Sequence, residues 1–409
     1  PKLAANPPMF RTAVTDELGR VTVTDSNASG DVVRVTRRGA DVAGGATRLH
    51  TYVEAKYDRF HRLAAVADEG GALWSYTYDL AGRRISLDDP DMGTWSYAHD
   101  QAGRLTSQTD ARGKVSVLTY DKLGRLLTRT VGGIAVATNT YDQPAVGSFN
   151  IGQLTTSSND QSVQTFSYNA DGLLMLKEVV IAGRTHREET AYSGGMVTGK
   201  VFRLDGLNPV SLSGWTYNAR GELFSIPGHI TSQTYEPDGM TDVIAYANGV
   251  TTDFDYSPSR RWLTGYTTRR ADNSVLLSGV YGRDAMGRIQ TIDEPGTDND
   301  WTYLYNDFDR LVSATNTGNA ALSETFSYQP NGNLVTRSRL AGAFLYPAAN
   351  ANQRPHAALS LNGGVLSYDA NGNLTEDATR IFTWDDANRL AGVNLKANGA
   401  DVLYSWGPD

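Results

Sequence analysis

Carboxylates supply most of the chemistry this chain could offer, and several of them cluster. Asp25-Ser26-Asn27-Ala28-Ser29-Gly30-Asp31 mimics the front of a calcium loop, whose alternating oxygens would wrap a divalent cation. Such a loop needs a bidentate Glu at its twelfth position, and Thr36 stands there, so a polar hairpin turn is the better reading. Asp88, Asp89 and Asp91, and separately Glu294, Asp298 and Asp300, could hold Ca2+, but solvated turns with Pro and Gly account for both groups as well. Asp recurs so regularly that a carboxylate pair for hydrolysis can be matched anywhere by chance. The six His stand at 50, 61, 99, 186, 229 and 356, without close metal-ligand spacing. Cys is absent, which removes disulfides, thiolate metal sites and a Cys nucleophile. The Ser-rich stretches lack a nucleophile elbow. No catalytic, cofactor-binding or metal-binding residue is therefore assigned. Arg83, Arg104, Arg125 and Arg288 could grip an acidic ligand, but pairing with turn Asp residues on adjacent repeats, at about 0–1 kcal/mol each, is the simpler reading. The rows Trp74, Tyr76, Tyr78 and Trp95, Tyr97 could stack on sugars, although their regular spacing favours packing between strands.

The elements that place these residues come from a repeat. Tyr120-Asp121-Lys122-Leu123-Gly124-Arg125-Leu126 returns as Tyr78-Asp79-Leu80-Ala81-Gly82-Arg83-Arg84 and as His99-Asp100-Gln101-Ala102-Gly103-Arg104-Leu105. With Tyr57 the starts fall at 57, 78, 99 and 120, a period of 21 residues, which marks an architecture of stacked small units. Weaker copies include Tyr168 to Gly172, Tyr217 to Gly221, Tyr235 to Gly239, Arg283 to Gly287 and on to Ile289, Tyr305 to Leu311, and Tyr328 to Gly332 and Leu334. Tyr368 to Gly372 and Leu374, and Trp384 to Leu390, close the series. Tyr141-Asp142 and Tyr192-Ser193 read as degraded copies. A 40-residue gap follows Tyr328 and holds a loop-like stretch, Tyr346 to His356.

Each unit reads as a β-hairpin. In Asp79-Leu80-Ala81-Gly82 the Asp opens a type I turn and the Gly takes positive φ as the next strand begins. The Asp side chain accepts hydrogen bonds from the turn backbone. Where this Gly is lost, His61, Asp309 and Asn388 replace it, and these residue types best tolerate positive φ. Arg260 breaks that rule, as a shift of register there would allow. Trp95, Tyr97 and His99 alternate with Ser96 and Ala98, and Ser116, Leu118 and Tyr120 follow in phase, so half-buried strands flank the turns. Asp110-Ala111-Arg112-Gly113 is a second turn, which starts the next unit. A lone hairpin is marginal in water, so stability should come from neighbouring copies. With a buried ring, Tyr120→Ala is expected to cost about 3–5 kcal/mol. No stretch carries a helical period with caps.

The chain has 409 residues, yet the repeat argues for one array rather than several domains: irregular N-terminal repeats over 1–56 and a continuous array over 57–409. Asp16-Glu17-Leu18-Gly19-Arg20-Val21 already carries the turn half of the motif. A hydrophobic content of 40% suits a sheet with much wet surface. The net charge of −8 argues against a nucleic-acid partner, which needs a basic footprint. No apolar run is long enough for a membrane span, and no signal peptide precedes the repeats. Pro1-Lys2-Leu3 and Gly407-Pro408-Asp409 read as cut ends, so export signals are expected outside this segment.

The copies at 78–84, 99–105 and 120–126, with Asp89-Pro90-Asp91-Met92-Gly93-Thr94-Trp95-Ser96-Tyr97, resemble the bacterial YD-repeat, or Rhs, family. The resemblance implies an all-β array of stacked hairpins that spirals, in part or whole, into a hollow shell. Family members include the C components of Tc toxin complexes, Rhs effectors and teneurins. In the toxin members the shell encloses a toxin domain from the C-terminus, and an aspartyl self-cleaving core releases it. Neither core nor toxin segment is visible here, so no family catalytic residue carries over.

The expected function is a non-enzymatic shell segment of a secreted or cell-surface bacterial protein. Its expected partner is a C-terminal toxin or effector of the same parent chain, with glycans or another shell subunit as further candidates. The rivals are a glycan-binding adhesin or fibre-forming repeat protein, and a polysaccharide-acting enzyme, which would need a cleft of converging perturbed groups. The residues expected to carry the repeat are Tyr57, Tyr78, Asp79, Gly82, Arg83, Asp100, Gly103, Arg104, Tyr120, Asp121, Gly124, Arg125, Tyr168, Gly172, Tyr217, Gly221, Gly287, Tyr305, Tyr328, Gly332, Tyr368 and Gly372.

Overall fold

A computed structural model describes residues 10–41, 45–296, 298–348 and 354–408. The readings that touch Pro1-Lys2-Leu3, Asp409 and residues 349–353 of the loop after Tyr346 lie outside the described residues. The described chain is a succession of antiparallel strands, with one 3-10 turn at Ala320–Leu322. Successive strands pair with one another: Leu73–Tyr78 with Arg84–Asp89, that strand with Gly93–His99, and Gly93–His99 with Leu105–Thr109. Along Gly93–His99, Trp95, Tyr97 and His99 are partly buried while Thr94, Ser96 and Ala98 are exposed, the alternation that a half-buried strand requires.

The turns follow from the motif. Asp79 N donates to Arg83 O at 2.9 Å and Gly82 N to Asp79 O at 3.1 Å. Gly82 sits at φ 84°, where a Cβ is strained, and this left-handed residue forms the bulge that closes a three-residue loop. The register accordingly shifts between Thr77 and Tyr78, and again just before His99, Tyr168, Tyr305 and Tyr328. His61, Asp309 and Asn388 take φ 60°, 65° and 68° in the same slot. Near Arg260 the turn is one residue longer: Ser257 N donates to Trp262 O, and Arg261 carries the positive φ of 55°. Asp25 to Asp31 is a further copy of the hairpin turn, with Asn27 N donating to Asp31 O at 2.9 Å and Gly30 N to Asn27 O at 3.1 Å.

Few side chains are fully buried. Among the described residues twelve hydrophobic and nineteen polar or charged residues are buried, and the hydrophobic ones are mostly Ala and Val, so no thick apolar core supplies the stability. Tyr120 is half-buried rather than buried. Its truncation should therefore cost less than the 3–5 kcal/mol typical of a buried aromatic.

The chain divides into two compact units. The first comprises Pro1–Ser116, Gly282–Ile292 and Thr297–Tyr404; the second comprises Val117–Tyr281, Asp293–Gly296 and Ser405–Asp409. In the second, the strands Leu174–Ile181, Arg184–Ser193 and Met196–Leu204 are long and are joined by two-residue turns. Ala182-Gly183 and Gly194-Gly195 hold positive φ at both positions, the twist such hairpins favour.

The first unit contains a seam. Turns of its later stretch dock on turns of its early stretch, with hydrogen bonds between residues 259 to 289 apart in sequence. Arg20 and Arg37 both reach the Asp309 carboxylate, at 2.7 and 2.9 Å. The Asp307 carboxylate accepts from Ala40 N at 2.7 Å, and a Cβ on Gly39 would lie 2.5 Å from that of Asp307, so only Gly permits the approach. Further along, Asn371 donates to Asp110 at 2.6 Å and Arg112 to the carbonyl of Asp385 at 3.0 Å.

Candidate functional site

The residues with most to do lie where one repeat meets the next. In each unit the Asp of the motif faces its own turn. Asp79 Oδ1 accepts from Arg83 N at 2.9 Å, and Oδ2 accepts from Arg83 Nε at 2.6 Å. The backbone N–H of Arg83 holds the Asp79 carboxyl below the usual carboxylate range, and that of Arg104 does the same for Asp100. Arg104–Asp100, Arg125–Asp121 and Arg288–Asp284 repeat the side-chain pair at 2.6–2.7 Å. The expectation that the Arg column pairs with Asp on adjacent repeats holds for Arg125 with Asp142 and Arg288 with Asp309, but each Arg of the column also pairs with the Asp four residues earlier. The rest of the guanidinium does reach onward. Arg62 donates to the Asp79 carbonyl at 2.8 Å, Arg83 to that of Asp100 at 2.6 Å, and Arg125 to both oxygens of Asp142.

The Tyr supplies the second tie. Tyr78 OH donates to the carbonyl of Leu63 at 2.8 Å, and Tyr141 OH to that of Leu126 at 3.0 Å. Tyr305 reaches Ile289, Tyr328 reaches Leu311 and Tyr235 reaches Leu223 in the same way. In each case the acceptor is the last motif position of the preceding copy. Tyr57 fits the scheme through Val32, which ends the turn beginning at Asn27. Tyr168, Tyr217 and Tyr368 bond the carbonyls of Leu154, Val197 and Ala358. Onto these rings the preceding Arg is laid: Arg62 over Tyr78 at 4.8 Å, Arg125 over Tyr141 at 4.3 Å and Arg288 over Tyr305 at 4.6 Å. Gly103, Gly124, Gly172, Gly221, Gly287, Gly332 and Gly372 all hold positive φ in their turns.

Spacing alone hid one copy. Tyr346 OH donates to the carbonyl of Leu334, so the gap after Tyr328 contains a further Tyr tie, although no Asp-x-x-Gly follows Tyr346 in the sequence. An aromatic residue 10 to 18 positions after each motif Leu was the signal available.

The candidate metal clusters are spent on structure. Asp89 is buried and accepts from Asp91 N, Met92 N and the Trp74 indole N–H; Asp88 accepts from Thr94 Oγ1. Glu294 accepts from the Tyr266 hydroxyl at 2.9 Å, which together with burial pushes that phenol up to about 12. Among the described residues no group of three His, Asp or Glu is arranged to hold a metal ion. The aromatic rows are engaged as well: Trp74 stacks on His356 at 5.6 Å, Trp95 donates to the Met92 carbonyl and Arg84 lies over Tyr97 at 4.9 Å.

The RHS Repeat family matches residues 57–91 and 94–133, the span of the copies that begin at Tyr57, Tyr78, His99 and Tyr120. The match shows Rhs repeats over residues 57–91 and 94–133. A likeness of fold to solved structures extends well beyond that span. A crystal structure of TcdB2-TccC3-TEV superposes with a TM-score of 0.82 at 17% identity, over 98% of this chain and 24% of that one. TcdB2-TccC3 without its hypervariable C-terminal region gives 0.79 at 16% identity, over 96% and 23%. The Tc holotoxin pore of Photorhabdus luminescens, carrying a TccC3 mutation, gives 0.68 at 17%, over 95% and 22%. At these identities the likeness is one of fold, and this chain spans about a quarter of the length of those chains. No curated protein matches by sequence. Among the described residues no helix is long and apolar enough to cross a membrane.

Proposed function

We propose that this chain is a wall segment of an Rhs shell, non-catalytic in itself, that encloses or carries a C-terminal toxin or effector of its parent polypeptide. The observation that carries the reading is the seam of the first unit. Within the first unit, turns bonded across 259 to 289 residues of sequence dock on one another, and contacts of that kind are what a one-sheet-thick wall needs in order to close. The fold shared with TcdB2-TccC3 over 98% of the chain supports it, as does a distinct hypervariable C-terminal region in that protein. The perturbed groups point the same way: Asp79, Asp100, Asp309 and His356 are each held in structural pairs rather than gathered round a cleft. A secreted or cell-surface setting, with the enclosed polypeptide as main partner, follows from this reading.

Small-angle X-ray scattering of the chain, followed by protease challenge of the full-length parent, tests it. A hollow particle, with a C-terminal segment that resists protease until the repeats are unfolded, is the expected result. A rod-like or flat particle, or a C-terminal segment cleaved at the rate of a free peptide, would overturn the reading in favour of adhesion or fibre formation.

A further inference from the structure

Most contacts of the seam use guanidinium groups, whose charge does not change in the accessible pH range. One contact with carboxylates uses an imidazole instead. His356 lies between two carboxylates of the early stretch: its Nδ1 is 2.7 Å from Asp91 Oδ2 and its Nε2 is 3.1 Å from Asp68 Oδ2. Its backbone N–H donates to Asp91 Oδ1 at 3.0 Å, and the neighbouring Arg354 N donates to the Pro90 carbonyl at 2.9 Å. The ring lies nearly parallel to Trp74, with 23° between the planes. Trp74 in turn lines a pocket of about 310 Å3 with Tyr52, Val66, Ala67, Asp68 and Tyr76. With both ring nitrogens facing carboxylates, both must carry a proton for both bonds to form. A neutral imidazole would leave one nitrogen lone pair pointing at a carboxylate.

We propose that the strap 354–358 is a releasable clasp across the seam, closed by imidazolium His356 between Asp68 and Asp91 and opened by alkaline pH. Hydrogen bonds to Asp68 first, and then to Asp91, push the His356 group up to about 9, against burial. A group whose folded value is raised contributes stability that is fully present below its unfolded value of 6.5 and lost as the pH rises through 9. On the acid side burial opposes ionisation of Asp91, but its bonds to His356 win and keep it below the usual carboxylate range. The clasp therefore stays shut in mild acid.

Other titratable groups stand near the ring. Asp89 is a buried carboxylate bonded by Trp74, and Arg354 lies on the strap itself. Burial raises the phenols of Tyr52 and Tyr76 in the pocket and of Tyr368 beside Arg354. Glu69, next to Asp68, is held by Arg48 at 2.6 Å.

The chain has no Cys, so spin labels at Leu359→Cys and Met92→Cys report the seam alone. Pulsed electron resonance should give one short distance at pH 6.5. A second, longer population should grow toward pH 9.5, with an open-to-closed ratio higher by roughly 10–100-fold. His356→Gln should show that longer population already at pH 6.5 and stay flat with pH. If His356→Gln does not fold, Asp68→Asn removes one partner and should move the transition to lower pH. An unchanged distance in the parent from pH 6.5 to 9.5, or a variant that follows the parent's curve, would overturn the clasp. The clasp rests on the seam and not on enclosure, so its failure leaves the scattering test untouched.

Discussion

The copy at Tyr78 and the copy at Tyr168 build the same turn from different chemistry. In the first, Asp79 pairs with Arg83. In the second, Asn169 stands for the Asp and Leu173 for the Arg, yet Asn169 N donates to Leu173 O at 2.9 Å and Gly172 N to Asn169 O at 3.0 Å. Asn169 Oδ1 accepts from Leu173 N at 2.9 Å, just as Asp79 Oδ1 accepts from Arg83 N. Both copies keep the Gly at positive φ and both keep the Tyr hydroxyl on the preceding carbonyl. The comparison ranks the motif. An oxygen acceptor, a left-handed residue and a phenol make the unit, while the charge on Asp and the whole of Arg add a link to the next unit.

The largest expected effect is therefore on the Tyr. Tyr78→Ala removes a half-buried ring, its hydroxyl bond to Leu63 and the face under Arg62, and should cost about 2–3 kcal/mol, below the range for a fully buried aromatic. Tyr78→Phe keeps the ring and should cost about 1 kcal/mol. Urea unfolding of the two variants separates ring from hydroxyl. Equal losses would mean that the hydrogen bond carries the contact.

Next comes the left-handed slot. Gly82→Ala places a Cβ at φ 84° and should cost about 1–2 kcal/mol. Gly82→Asn should cost less, because Asn388 already holds φ 68° in the equivalent turn. The same unfolding measurement decides it. An Asn variant as damaged as the Ala variant would show that the slot tests side-chain size rather than backbone conformation.

Much of this was legible in the sequence because the period is local. Asp and Gly three residues apart specify a turn by short-range sterics and hydrogen bonding, so the hairpins and the positive φ at His61, Asp309 and Asn388 could be read without tertiary information. The Tyr ladder was half legible. Spacing showed that Tyr recurs, but its carbonyl partner lies in the previous copy, and Tyr346 passed unnoticed because no Asp-x-x-Gly follows it in the sequence. The Arg column was half legible for a similar reason. The Asp–Arg spacing of four residues reads on a helix as a pair, whereas here the turn folds the two side chains together. The seam was illegible. His356, Asp68 and Asp91 carry no signal singly, and nothing local in the sequence sets a contact across 265 or 288 residues.

The smallest effect is also the sharpest test of the ranking. Arg83→Leu imitates Leu173 of the later copy, so the turn should persist and only the pair with Asp79 and the bond to the Asp100 carbonyl should go. The loss should be at most about 1 kcal/mol. Its pH dependence is more telling than its size. The Asp79 carboxyl is held low chiefly by the backbone N–H of residue 83, then by the Arg side chain. A depressed carboxylate contributes stability that is present above its unfolded value of 3.8 and lost as the pH falls through its folded value. The backbone at position 83 still donates that N–H after the substitution, so the acid loss assigned to Asp79 should survive largely intact in Arg83→Leu. In Asp79→Asn it should vanish, with the turn itself retained as at Asn169. Urea midpoints of parent and variants between pH 5 and pH 2.5 read both differences. If Arg83→Leu abolished the acid dependence as fully as Asp79→Asn does, the ion pair and not the turn backbone would be what the motif's Asp is for, and the equivalence of the two copies would fail.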